Sequence, residues 1–477
     1  MPDPVRPKRP IDRKARMKLP PVAQVARPPE ERIRDFKPTY LPLTPELAQK
    51  EAERCLHCAD PAPCVRACPA GNDIPTAMWM IEFGDFAGAA EIYRKTSSLP
   101  EICGRVCPHE SLCMGSCTLG KRGDAVITGA LEAFVCDYQR EHGEVTIQTA
   151  PSTGRQVAII GAGPAGLSAA EQLIQKGHAV TIFEAMPVAG GLLTYGIPNF
   201  KLSKDIVNNR IEDITRAGAR LVTRTTIGKE KTIDDLFEEG FHAVYISVGT
   251  GMDVEINVPG SVLDGIYFAG SFLARANARQ AGIPVNGGEL KIGERVIVVG
   301  GGDTASDCLR TSLRLGASEV TCLYRRTEAE MPGGEKDRLR AIEEGAKYRY
   351  LTQPIRFIGG ADNQVTAVEC LQCELGEPDE SGRRRPIPIE GSNFTVEADT
   401  VVLALGYWPD PLLGETTPEL DTTKWGLILA HPETGETSRP GVFAGGDAVS
   451  GPDLVVTAMR DGRQAAAAIH EYLEALC

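Results

Sequence analysis

QVAIIGAGPAGLSAAEQLIQKGHAVTIFEA, residues 156–185, and RVIVVGGGDTASDCLRTSLRLGASEVTCLYRR, residues 295–326, decide the fold. Each reads as an apolar strand, a glycine turn, an amphipathic helix and a second strand. The glycines allow a tight turn and let a pyrophosphate approach the helix N-terminus. Two copies in one chain predict an α/β protein with two doubly wound dinucleotide-binding domains.

The two copies differ where the second strand ends. The first has Gly161-x-Gly163-x-x-Gly166, with Pro164 and Ala165 inside the motif, and then Glu184. A carboxylate there accepts hydrogen bonds from both ribose hydroxyls and repels a 2'-phosphate, so this site takes FAD or NAD. The second has Gly300-x-Gly302-x-x-Ala305, with Asp303 and Thr304 opening its helix, and then Arg325 and Arg326. Two guanidinium groups can clasp a 2'-phosphate, which predicts NADPH over NADH. The plainer alternative is a pair of surface arginines.

The chain has 477 residues and a net charge of -13, which disfavours nucleic acid and anionic membranes as partners and leaves small molecules and proteins. No apolar run approaches the roughly 20 residues that span a bilayer. The basic N-terminus MPDPVRPKRP lacks an apolar stretch, so a soluble, cytoplasmic protein is expected. Residues 1–45 hold eleven of the 34 prolines and form an extended arm, either a solvated tail or a segment draped over a partner or the rest of the chain.

Eight of the fourteen cysteines fall within residues 55–117, a crowding that points to metal ligation rather than disulfides. The first group is Cys55-x2-Cys58-x5-Cys64-x3-Cys68-Pro69, a stretched relative of the ferredoxin run, and the second is Cys103-x3-Cys107-Pro108-x5-Cys113-x3-Cys117. Two [4Fe-4S] clusters need eight ligands. Structural zinc is the alternative, though zinc sites pair shorter knuckles with no proline signature. Thr44 as N-cap with Pro45 behind it starts a run of helical patterns, making 46–150 a helical domain around these cysteines. His57 and His109 stand beside them, where tuning of the clusters is one reading and a surface position the plainer one. Cys136, Cys308 and Cys322 read as small core residues, and the isolated Cys370 and Cys373 as strand packing.

RCLHC, CVRACPAGNDIP, LPEICGRVCP and LCMGSC resemble the N-terminal domain of the small subunit of bacterial glutamate synthase. They are also similar to the large subunit of NADH-dependent reduced ferredoxin:NADP oxidoreductase and to the N-terminal part of dihydropyrimidine dehydrogenase. The resemblance implies one cluster on Cys55, Cys58, Cys64 and Cys117. The other would use Cys68, Cys107, Cys113 and Glu132, leaving Cys103 as the alternative eighth ligand. AGGLL, with Gly190, Gly191 and Leu192, then TYGIPNFKL, resembles a flavin-contacting stretch of the same family. So does GVFAGGDAVSGPDLVVTAMRDGRQAA, which implies FAD at the first site, with Gly406, Gly446, Asp447 and the helix starting near Val455 contributing.

The flavin domain is then discontinuous: 151–284 and 401–477, interrupted by an NADPH domain at 285–400. Hydride would pass from NADPH to FAD, and single electrons through two clusters to a second redox protein in a hetero-oligomer. That partner is the FMN-containing large subunit if the chain is a glutamate synthase small subunit, or a small flavoprotein with ferredoxin if it is the large subunit of an electron-bifurcating oxidoreductase. A non-enzymatic alternative is an interaction module with structural clusters.

Overall fold

The computed structural model describes residues 11–143, 145–284, 288 and 290–476. The first ten residues of the arm, and 285–287 and 289 beside the expected domain boundary, lie outside them.

Both glycine-turn units nucleate five-stranded parallel sheets of matching order. The first runs Val442–Ala444, Ala243–Ile246, Gln156–Ile160, Ala179–Phe183, Arg220–Val222, and the second Ile266–Phe268, Thr400–Leu403, Arg295–Val299, Glu319–Leu323, Lys347–Arg349. Val157 to Ile160 and Val296 to Val299 are all buried, as central strands covered on both faces require. The second sheet takes its edge strand from 266–268, before residue 285, and keeps 400–403 inside it. The chain re-enters the first sheet only at Val442. Between Lys347–Arg349 and Thr400–Leu403 stands an antiparallel sheet of Thr352–Gly359, Val365–Pro378, Arg384–Pro388 and Phe394–Glu397. Cys370 and Cys373 are buried on it, and Cys136, Cys308 and Cys322 in the cores.

Residues 45–142 are helical: Pro45–Glu53, Ile74–Glu82, Phe86–Arg94, Pro100–Val106 and Thr128–His142. Thr44 caps the first by accepting from the Leu47 amide at 3.3 Å. This unit is welded to the first sheet. Leu99, Ile102 and Cys103 share a core with Leu167, Leu193 and Val207. Arg210, on the helix Lys204–Arg216, is 1% exposed and donates to Ser98 O at 2.8 Å and Glu171 Oε2 at 2.5 Å, with Glu101 at 3.5 Å.

The described part of the arm drapes over its own chain. Arg13 donates to the Leu56 and His57 carbonyls at 2.9 and 2.7 Å, and Arg16 pairs with Glu82 at 2.8 Å. Further along, the Thr39 amide donates to Phe200 O at 3.0 Å and Asn199 Nδ2 to Phe36 O at 2.9 Å. Among the described residues no helix is long and apolar enough to cross a membrane.

Candidate functional site

Gly161 sits at φ +100°, and a Cβ there would stand 2.6 Å from Ser247 O, so only glycine serves. Gly300 repeats this at φ +147°, 2.2 Å from Ala404 O. A Cβ on Gly166 would meet Gly161 O at 2.0 Å, whereas Gly163 and Gly302 have nothing within 4 Å of theirs. Both turns therefore present bare backbone to open space at the start of the helices Pro164–Gln175 and Asp303–Arg314, as a bound pyrophosphate requires. Gly191 packs on Gly163 and Gly446 on Ala165, with Cβ approaches of 3.1 Å each, and the Gly190 amide donates to Ala162 O. Glu184 is buried beside them. Its carboxylate accepts from the Ala162 and Met186 amides at 2.9 and 2.8 Å, while burial raises its pKa.

A large cleft collects most of the other predicted residues. Its walls carry Gly300, Gly302, Asp303, Thr304, Arg325 and Arg326 of the second unit, together with Leu192, Gly406, Asp447 and Val455. Gly161, Gly163, Glu184, Gly190, Gly191 and Gly446 lie outside this lining. Burial pushes the Asp447 carboxyl up to about 6, against a hydrogen bond from the Asp453 backbone and with the Asp461 charge adding to the rise.

The two arginines are not equivalent. Arg326 is buried and donates to Asp379 Oδ2 and Arg384 O, both at 2.6 Å, whereas Arg325 is exposed in the cleft with no ion-pair partner among the described residues. Arg383 joins Arg325 on the wall. Sequence reasoning missed it, although the SGRRR turn at 381–385 was the available signal.

The cysteines separate into two sets. Cys55, Cys58, Cys64 and Cys117 stand close enough for their thiolates to repel one another, and burial pushes Cys55 up to about 12 and Cys64 to about 11. Cys68, Cys103, Cys107, Cys113 and Glu132 line a small enclosed cavity. Burial, with Glu101 nearby, pushes Glu132 up to about 8, against a hydrogen bond from Asn72 Nδ2 at 3.3 Å. Cys103 and Glu132 line this one cavity, so both candidates for the eighth ligand reach the same space. Among the described residues no three His, Cys, Asp or Glu side chains converge as they would on a single metal ion. Two sets of soft sulfur donors, Cys103 and Cys113 buried and the others half-buried, suit iron-sulfur clusters.

The expectation that His57 and His109 lie at the surface is overturned: both are buried. The chain folds back across the loops that follow their cysteines, with Arg13 bonded to the His57 carbonyl and the His109 ring lying against Gly129 of Thr128–His142. His109 lines both the cysteine cavity and the cleft, and burial pushes its imidazole down to about 4. A second missed group is Lys204, buried, whose Nζ donates to Leu193 O at 2.7 Å and Ile197 O at 2.5 Å; Asn277 Nδ2 holds the adjoining Tyr195 O at 2.8 Å. Together they pin the TYGIPN segment at the cleft.

Residues 32–144 match the family described as dihydropyrimidine dehydrogenase domain II, 4Fe-4S cluster, and residues 155–462 match the pyridine nucleotide-disulphide oxidoreductases. The chain is similar to the glutamate synthase [NADPH] small chain of Halomonas elongata, at 40% identity over 94% of this chain and 95% of that one. It is similar also to the putative oxidoreductase AegA of Escherichia coli, 41% identical over 93% of this chain and 68% of the relative. The structure of Mycobacterium tuberculosis FprA in complex with NADPH shares the fold, with a TM-score of 0.55 and 21% identity over 68% of this chain and 85% of that one.

Burial pushes the Lys204 amine down to about 7, and a neutral amine has two hydrogens for its two carbonyl acceptors. Its folded pKa thus lies below the unfolded value of about 10.4. The unfolded chain binds the extra proton between these values, so the penalty is full below pH 7 and fades as pH rises toward 10. The melting temperature of the wild type relative to Lys204→Met should be level below pH 7 and climb between pH 7 and 10. A difference that stays constant across that range would mean an ordinary lysine.

Proposed function

The chain belongs to the glutamate synthase small-chain family, and we propose that it is an NADPH-oxidising electron-transfer subunit that hands electrons to a glutamate synthase large subunit. One observation supports this most: the same cleft is walled by the second glycine turn with Arg325, by the return segment Asp447–Val455, and by Cys107 and its neighbour His109. Nucleotide-type and cysteine-type binding groups thus share a single space.

When bound, FAD accepts hydride from NADPH and the clusters carry electrons onward one at a time. The residues of this chain bind, orient and insulate. We assign Gly161, Gly163, Pro164, Ala165, Gly166 and Glu184, with Gly190, Gly191, Leu192, Gly406, Gly446, Asp447 and Val455, to the flavin. Gly300, Gly302, Asp303, Thr304 and Arg325 take NADPH, with Arg326 held in place behind Arg325 and Arg383 beside it. The helix Val455–Ala475 directs its positive N-terminal end toward the cleft, where it favours negative charge. Cys55, Cys58, Cys64 and Cys117 form the outer cluster site, and Cys68, Cys107, Cys113 and Glu132 the inner one, the arm being residues 1–45 and the cluster domain 46–150. The inner set adjoins the cleft because Cys107 and His109 line both spaces and Val456 follows Val455 into the cysteine cavity. A bifurcating role draws on the same residues and gains no support beyond them.

The test is anaerobic. NADPH should bleach the flavin of the purified holoprotein, and co-purification from its own cells should bring down a large subunit that converts glutamine and 2-oxoglutarate to glutamate. No bleaching would leave an interaction module. A small flavoprotein partner with ferredoxin-linked activity would replace the glutamate synthase reading. Arg325→Ala should weaken NADPH by about 1.5–3 kcal/mol, the range for a hydrogen bond to a charged group, and spare NADH. Equal loss for both would remove the 2'-phosphate role. Glu132→Ala should alter the electron paramagnetic resonance signal of one cluster alone, and an unchanged spectrum would transfer the ligand to Cys103.

A further inference from the structure

Along the cleft, three parts of the chain meet at one ionic junction, whose Thr39, Phe200, Lys201, Arg310 and Glu343 stand on the cleft wall. Arg32 of the arm is 1% exposed, and it donates to Glu343 Oε2 at 2.7 Å and lies 3.4 Å from Glu344 Oε1. Glu344 accepts also from Arg310 at 3.0 and 2.9 Å and from Arg314 at 2.6 and 3.0 Å, both on the helix that begins at the second glycine turn. Those two guanidinium groups lie over the ring of Phe200, 4.5 and 4.0 Å from its centroid. Phe200 and Lys201 belong to the first unit, directly after TYGIPN, and Lys201 reaches across to Asp307 at 3.0 Å and Asp337 at 2.8 Å. The arm closes the junction a second time: Arg310 donates to Thr39 Oγ1 at 2.8 Å, and the Thr39 amide and hydroxyl both donate to Phe200 O, at 3.0 and 3.2 Å.

We infer that this junction is an interdomain clasp, strapped by the arm, that holds the pyridine-nucleotide unit at one fixed orientation over the flavin unit, with Arg32 and Glu344 as positioning residues for hydride transfer. The inference rests on the reading above. Contacts between domains of one chain are ordinarily polar and permit relative motion. Here the buried Arg32 of the arm depends on Glu343 and Glu344 of the second unit, and Lys201 of the first unit on Asp307 and Asp337 of the second, so a partial rotation would strand largely buried charge, which costs far more than a surface pair. The elements it joins are those that carry the two binding sites: the segment pinned by Lys204 on one side and the helix of Gly302–Thr304 on the other. Neither Arg32 nor Glu344 lines the cleft, so any effect they have on chemistry passes through the residues they hold, Glu343 and Arg310 on its wall among them. Displacement of reacting groups by about 1 Å can lower a rate by roughly a hundredfold.

Two measurements test the clasp. In anaerobic stopped-flow with NADPH, Arg32→Ala should lower the limiting rate of flavin reduction by about tenfold to a hundredfold. The NADPH concentration for half-saturation should change less than about twofold, and Arg32→Lys should recover part of the rate. An unchanged limiting rate in a variant that still binds NADPH overturns the clasp, while absence of flavin reduction in the wild type overturns the functional reading instead. Should Arg32→Ala not fold, hydrogen exchange on the wild-type holoprotein decides. The peptide containing the Thr39 amide, which bonds across to Phe200, should be equally protected with and without NADP. Protection that appears only on adding NADP would show a junction assembled by the ligand and would overturn a standing clasp.

Discussion

Gly462 brings the helix Val455–Ala475 so close to Pro164–Gln175 that a Cβ there would stand 2.2 Å from the Ala165 carbonyl oxygen. Ser168 Oγ donates across the same crossing to Met459 O at 2.8 Å. Much else depends on this approach. It returns a segment from the far end of the chain to the first sheet, lays Gly446 against Ala165, and aims the start of the long helix at the cleft. It also sets Val455 on the cleft wall and Val456 on the cysteine cavity, one residue apart. A larger residue at 462 would push the helices apart and separate these spaces together, because the interior is close-packed and transmits strain.

The units on either side are joined by buried charge rather than by apolar surface alone. Arg210 ties the helical cysteine domain to the first sheet through Ser98 and Glu101, Lys201 ties the first unit to the second through Asp307 and Asp337, and Arg32 ties the arm to the second through Glu343 and Glu344. Such groups add little net stability over well-packed apolar residues, since their desolvation offsets their attraction. What they add is direction. A guanidinium fork meets a carboxylate in few geometries, so each junction admits one docking angle where an apolar patch would admit several.

The parts of this structure legible in the sequence are those governed by local rules. Glycine spacing, the cap at Thr44 and the helical runs each depend on a few adjacent residues, and the helices Pro45–Glu53, Ile74–Glu82 and Thr128–His142 lie where those rules put them. The arm was legible only as a choice between a tail and a drape, and the burial of His57 and His109 and the edge strand Ile266–Phe268 were not legible, because each is decided by a partner distant in the chain. Arg13 alone announces nothing until the Leu56 and His57 carbonyls stand before it. Arg325 and Arg326 show the intermediate case: adjacency in the sequence placed both near the cleft, but only the hairpin carrying Asp379 and Arg384 separates the free arginine from the tethered one.

That hairpin explains how two copies of one unit come to differ. In the first copy the strand-end Glu184 accepts from the Ala162 amide of the glycine turn and from the Met186 amide of its own turn, and these two fix it. In the second copy a strand-end arginine is too long and mobile to be fixed by its own turn, and its side-chain entropy opposes ordered binding. The antiparallel sheet inserted between Lys347–Arg349 and Thr400–Leu403 has no counterpart at the corresponding place in the first copy. Its loop grips Arg326 by two hydrogen bonds and a charge, and adds Arg383 to the same wall. A rigid cation behind Arg325 also discourages that side chain from folding back, since like charges repel. The insertion therefore supplies the order that a doubly basic strand end lacks by itself, and it does so only in the copy whose proposed ligand carries an additional phosphate.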